Sequence, residues 1–269
     1  MNKVRLNNKL SIMSWNIHDR IENKVDKFKN PEFTKILEKS QIICLQETKG
    51  PIKLPNYQAF NSNRLNSHSG GVAILINNNI RKGVKHVKTT ETTDAVAIKL
   101  CKTFFHLPYD VYIISLYISP AYSSFTINNP DYTEKTFDGI NSIISRLSNL
   151  GQVFMCGDTN SRTACLPDYL IENSDSYFDP YGDIGYQPDL TEPRNNLDPT
   201  TNSYCTKFLD IITTNRLKIL NGRTLGDCQG KLTCYKYNGC STVDYFVAST
   251  ALRNLIETLC VLDLFVKPN

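Results

Sequence analysis

Four apolar runs in this chain each stop abruptly on a polar side chain, and that arrangement limits the possible fold more than any other feature of the sequence. Ile12-Met13-Ser14-Trp15-Asn16-Ile17 carries an amide near its end, and Ile42-Ile43-Cys44-Leu45-Gln46-Glu47-Thr48 finishes on an acid. Ile113-Ile114-Ser115-Leu116-Tyr117-Ile118-Ser119-Pro120 reaches a tyrosine before a proline that stops the strand. Met155-Cys156-Gly157-Asp158-Thr159-Asn160 presents an acid and an amide two residues apart. A further run, Ser241-Thr242-Val243-Asp244-Tyr245-Phe246-Val247, places an acid at its start. Short runs of this kind read as buried strands. Residues 152–156 form one, Gly157 opens a turn, and Asp158 and Asn160 stand together at the strand's C-terminal lip. A carboxylate there can deprotonate water and an amide can steady a phosphate oxygen. Taken alone, Gly-Asp-x-Asn also reads as a turn in which both side chains bond their own backbone.

Helical spacing appears between the strands. Phe33, Ile36 and Leu37 after Pro31, and later Phe137, Ile140, Ile144 and Leu147, fall at three- and four-residue steps and mark core-facing helices. Phe208, Leu209 and Ile212 suggest a third, short helix. Residues 70–76, 95–100 and 111–116 supply more strands, and 217–220, 232–235 and 243–248 a second set. Two strand sets with helices outside make a layered α/β sandwich. A chain of 269 residues, 41% of them hydrophobic, can bury one large core. No linker or repeat divides it, so one domain over residues 1–269 is expected.

Nothing approaches the roughly 18 apolar residues that span a bilayer, and Met1-Asn2-Lys3-Val4-Arg5 lacks the apolar stretch of a signal peptide. The expectation is an intracellular protein, nuclear or cytoplasmic, not secreted and without a membrane partner. The nine cysteines are odd in number and show no Cys-x-x-Cys pair, and Cys44 and Cys156 read as small core residues. Thirty basic against 26 acidic residues permit a phosphate-rich partner without requiring one. The basic residues 81–88 read as a solvated hairpin. The polar loop 61–69, which carries Arg64 and leads into Gly70-Gly71, is the better candidate for touching substrate. Residues 180–202, rich in Pro, Asn, Asp and Gly, read as a long surface loop in which Arg194 is either solvated or meets nucleic acid.

In this order and at these intervals the runs resemble the endonuclease/exonuclease/phosphatase family. Ser69-Gly70-Gly71-Val72-Ala73-Ile74, Gly157-Asp158-Thr159-Asn160-Ser161-Arg162-Thr163, Leu220-Asn221-Gly222-Arg223 and Thr242-Val243-Asp244-Tyr245 are similar to the apurinic-endonuclease-like domain of LINE-type non-LTR retrotransposons. The resemblance implies a DNase I-like, four-layered α/β/β/α sandwich of two mixed sheets flanked by helices. It also implies Mg²⁺-dependent phosphodiester hydrolysis, with Mn²⁺ able to substitute, and DNA as the partner. Residue by residue, it makes Glu47 the principal metal ligand, and one carboxylate suffices because Mg²⁺ keeps several waters. Asp158 would orient and deprotonate the attacking water. Asn160 and Asn16 would hold phosphate oxygens and help place the metal, Tyr117 would donate to the phosphate, and Asp244 would support the network. Thr233 matches a threonine near the site and reads equally as an ordinary strand residue.

The family pattern closes on a Ser-Asp-His strand whose imidazole contacts the scissile phosphate. Val261-Leu262-Asp263-Leu264-Phe265-Val266-Lys267-Pro268-Asn269 does not contain it, and Leu264 follows Asp263 where a histidine is needed. The resemblance therefore implies a missing last strand and impaired activity. It leaves two alternatives: a silent remnant that binds nucleic acid or a protein, and a phosphatase acting on a phospholipid or inositol phosphate. His18 lies two residues beyond Asn16 but has no acid/base role in the matched pattern. His68, His86 and His106 read as ordinary loop or strand-end residues.

Overall fold

Period-two alternation divides each apolar run between two cores. In the computed structural model, which describes residues 9–64, 69–169, 192–237 and 239–262, strand β1 spans Ile12–Asn16, β2 Ile42–Gln46, β3 Tyr57–Ser62 and β4 Val72–Asn77. They form a sheet in the order β1-β2-β4-β3, with β1 parallel to β2 and the other pairs antiparallel. Strands β5 (Val84–Val87), β6 (Ala95–Leu100), β7 (Val111–Tyr117), β8 (Gln152–Asp158) and β9 (Leu217–Ile219) belong to a second sheet. A small ribbon of β10 (Cys234–Lys236) and β11 (Gly239–Ser241) leads into β12 (Asp244–Ser249) of that same sheet, whose order is β9-β12-β8-β7-β6-β5. Only β7 and β8 run parallel there.

Ile42 and Cys44 of β2 face Ile113 of β7, Phe154 and Cys156 of β8 and Ala248 of β12 in the core between the sheets. The alternate residues Ile43 and Leu45 pack outward with Leu37 and Phe33 of helix α1 (Pro31–Leu37). Ile114, Leu116, Val153 and Met155 face the other way, under helices α2 (Tyr132–Ser148) and α3 (Cys205–Thr214). Pro31 opens α1 with its fixed φ, and Asn30 caps it by accepting from the Glu32 N–H. The result is the expected α/β/β/α sandwich of two mixed sheets.

Two local expectations are corrected. Gly157 does not open a turn: it lies within β8, opposite Leu116 of β7 and Tyr245 of β12, so the strand carries Asp158 as its last paired residue. At φ +141° a Cβ on Gly157 would sit 2.0 Å from the Leu116 carbonyl oxygen, which only glycine avoids. Gly157→Ala is therefore expected to cost about 3 kcal/mol or more, read as a lowered midpoint in urea. An unchanged midpoint would show that β7 and β8 can separate there. Residues 81–88 are no separate hairpin either, because Val84–Val87 is the edge strand β5, paired with β6.

Candidate active site

The same alternation that fills the central core also aims the strand ends. Asn16 shares the inward row of Ile12, Asp158 that of Phe154 and Cys156, Tyr117 that of Ile113, and Asp244 that of Phe246 and Ala248. Each row begins or ends in a polar residue at the same rim of the sandwich. Just beneath that rim, Gln46 donates to Ser115 at 3.1 Å and so joins the two sheets.

The Asn16 amide binds the rim together. Its Nδ2 donates to Glu47 Oε1 and to Asp158 Oδ2, each at 2.8 Å, while its Oδ1 accepts from the His18 N–H at 2.9 Å. Glu47 follows β2 in a left-handed conformation, φ 52°. Across the sheet pairing, Asp158 of β8 lies directly opposite Asp244 of β12 and beside Tyr117 of β7. The Asn160 N–H donates to Asp158 Oδ1 at 2.9 Å. These groups line one cavity of about 1060 Å³, whose mouth also carries His18, Lys49 and Lys236.

Three carboxylates packed this closely repel one another. Burial pushes the Asp158 carboxyl well up, and the charges on Asp244 and Glu47 add to it, against hydrogen bonds from Asn16 and Asn160. Burial likewise lifts Asp244 to about 6, opposed by Thr233. Glu47 goes the other way. Burial disfavours its charge, but His18, Asn16 and Lys49 outweigh that and hold it below the ordinary value. Burial and the two carboxylates Glu47 and Asp158 raise Tyr117, which keeps its phenol protonated as a donor. Glu47 draws the His18 pKa up in return.

The raised acids carry a sign for stability. In the folded state Asp244 keeps its proton above pH 3.8, where the unfolded chain has released it, so its contribution falls as pH rises from about 4 to 6. Asp244→Asn removes that burden. Its stability relative to the unaltered protein is expected to grow across this interval by on the order of 2 kcal/mol, measured as urea midpoints at each pH without divalent ions. A difference that does not change with pH would contradict the packing of Asp244 against its neighbours.

Several expected site residues do other work. Arg64 does not face substrate: its side chain is 4% exposed, its Nε donates to Asp94 at 2.7 Å and its Nη2 to the Tyr132 hydroxyl at 2.6 Å. Its guanidinium also stacks 4.1 Å over the Phe125 ring. Thr233 borders the cavity, but its Oγ1 accepts from the backbone N–H groups of Val243 and Asp244, both at 3.1 Å, so it orients Asp244 and is not free for substrate. Asn160 lines the cavity and gives one Nδ2–H to the Ile118 carbonyl at 2.8 Å, which anchors the loop after β8 and leaves the second Nδ2–H available. Arg194 is neither solvated nor at the rim; it is 5% exposed and donates to Thr163 at 2.6 Å. Most of the 180–202 loop lies outside the described residues, as do His68 and residues 263–269. His18, set aside in the sequence, belongs to the site. The one signal for it was its place two residues after Asn16.

The fold and this rim define a class, the DNase I-like α/β/β/α sandwich with its polar strand ends gathered at one edge. No protein-family model and no curated protein sequence matches the chain. Solved structures do match. The 3'-5' exonuclease NExo of Neisseria meningitidis aligns at TM-score 0.57 and 14% identity over 93% of this chain and 90% of that one. The catalytic domain of Xenopus laevis APE2 aligns at TM-score 0.56 and 15% identity, covering 91% and 84%. An AP endonuclease from Archaeoglobus fulgidus aligns at TM-score 0.51 and 13% identity, covering 91% and 89%. At such identities the likeness establishes the shared fold alone. Among the described residues no helix is long and apolar enough to cross a membrane.

Proposed function

We propose that this chain is a divalent-metal-dependent phosphodiester hydrolase acting on DNA, a nicking endonuclease domain of the LINE-like retrotransposon kind. The observation that carries the reading is the Asn16 amide, which holds Glu47 and Asp158 at 2.8 Å each and so unites one strand end from each sheet. The donor set fits a hard cation. Glu47 Oε1 is taken by Asn16 and its Oε2 lies 3.7 Å from His18 Nδ1, beside two further carboxylates whose mutual repulsion a cation would relieve. Glu47 would hold the ion, which neutralises charge on the phosphate and the leaving oxygen.

The chain's own groups account for the rest. Asp158, raised by burial, sits nearer the working pH of a general base and takes the proton of the attacking water. Asn16 and the Asn160 N–H hold that carboxylate in place. Tyr117, still protonated, donates to a non-bridging phosphate oxygen. Lys49 and Lys236 flank the mouth, and the β10–β11 ribbon beside them exposes Tyr237 completely, which suits contact with a backbone and a base. That basic, aromatic rim supports DNA over an inositol phosphate or phospholipid, and one structural neighbour, the 3' phosphatase NExo from Neisseria, is bound to a product DNA hairpin.

A substrate panel tests the proposal: supercoiled plasmid, single-stranded RNA and an inositol polyphosphate, each with Mg²⁺ and with EDTA. Metal-dependent nicking of the plasmid, outpacing release of phosphate from the inositol compound, is the expected result. Inositol phosphate turnover without nicking would overturn the DNA assignment. DNA binding without turnover of any substrate would favour a silent binding module.

A further inference from the structure

The mouth of the cavity carries an imidazole, that of His18, and it faces an oxygen of Glu47. His18 Nδ1 lies 3.7 Å from Glu47 Oε2. That is too long for a direct hydrogen bond, yet shorter than the sum of two metal–ligand bonds of about 2.1 Å each. The pair is held from the backbone side. Residue 18 adopts a left-handed conformation at φ 63°, and its N–H is fixed on Asn16 Oδ1 at 2.9 Å. Asn16 in turn occupies Glu47 Oε1, so Oε2 is the oxygen turned toward the imidazole. The His18 side chain is 75% exposed and can close the remaining distance by rotation about its own χ angles.

We infer that His18 is a second protein ligand of the divalent cation, sharing it with Glu47 Oε2, and that this nitrogen biases the site toward Mn²⁺ over Mg²⁺. The inference rests on the metal-dependent reading proposed above. A nitrogen donor adds affinity for a first-row transition ion such as Mn²⁺, although Mn²⁺ also takes oxygen readily, while Mg²⁺ favours oxygen alone. Among the described residues no three His, Cys, Asp or Glu side chains cluster at metal-binding spacing, so water and substrate oxygens would complete the sphere. His18 is thereby distinct from the imidazole of the Ser-Asp-His strand that the family resemblance leads one to expect: it lies next to Glu47, on the metal side of the cleft.

The test uses the full chain and Mn²⁺ alone, with no substrate. Pulsed electron paramagnetic resonance of the loaded protein is expected to show modulation from one directly bound ¹⁴N, replaced by the ¹⁵N pattern when histidine is isotopically labelled. His18→Asn tolerates a positive φ and keeps the amide-to-Asn16 contact. It is expected to lose the nitrogen signal and to bind Mn²⁺ about tenfold more weakly, while Mg²⁺ affinity by competition changes by less than about threefold. Glu47→Gln is expected to weaken binding of both ions. Bound Mn²⁺ without nitrogen modulation, or modulation that survives His18→Asn, overturns the inference and leaves the carboxylate metal site standing. No Mn²⁺ binding by the unaltered chain overturns both, whatever the protein does to DNA.

Discussion

Arg64→Met lowers stability by about 3–5 kcal/mol, because it strands a buried carboxylate. Arg64 and Asp94 meet at 2.7 Å with side chains 4% and 2% exposed. Burial already pushes Asp94 above its ordinary pKa, and the Arg64 charge is what opposes that shift. The midpoint of thermal unfolding is expected to fall by roughly 10 °C or more for a chain of this size. Arg64→Met with Asp94→Asn recovers part of the loss, since the second change removes the uncompensated charge. DNA affinity of the folded variant stays unchanged within about twofold, whereas a substrate-binding arginine of the kind the loop suggested would lose considerably more. Stable protein with weakened DNA binding would restore the sequence-based reading and refute the structural one.

Asp158→Asn has the larger effect on chemistry and the opposite effect on the fold. Removing the general base is expected to cut phosphodiester hydrolysis by about 10²–10⁴-fold. The same change removes a buried charge crowded by Asp244 and Glu47, so the variant is expected to unfold at a higher urea concentration than the unaltered chain at pH 7. An amide at this position keeps one of the two acceptors, so it holds either Asn16 or the Asn160 N–H, and the lost bond offsets part of that gain. Loss of activity together with gained stability is the mark of a group strained for function. Loss of both would place Asp158 in the structural framework instead.

The layers of the fold were legible because burial writes itself into strands with a period of two and into helices with steps of three and four. Ile42 to Gln46 shows how far that reaches: the row that packs Ile42 and Cys44 inward also aims Gln46 at Ser115, directly below the rim. Asn16, Glu47, Tyr117, Asp158 and Asp244 were visible as polar ends of apolar runs, and all five line the cavity. The failures share a different cause. Arg64 and Arg194 look solvent-facing in polar loops, and nothing local reveals Asp94, 30 residues on, or Thr163, 31 residues back. Thr233 was matched through the resemblance to a threonine near the site, but the two backbone N–H groups its hydroxyl receives belong to a strand start ten and eleven residues away. Gly157 resembled a turn because glycine usually marks one, while here it permits the close approach of β7. Each error is a non-local pairing, which pattern along the chain does not encode.

The most direct test of the account is nicking of supercoiled plasmid by the purified chain in Mg²⁺ and in Mn²⁺, beside Asp158→Asn and Glu47→Gln prepared identically. Conversion to the open circle by the unaltered chain is expected, abolished by EDTA and reduced by at least about 10² in both variants. Equal nicking by all three proteins would mean that the carboxylates joined by Asn16 are not the catalytic centre.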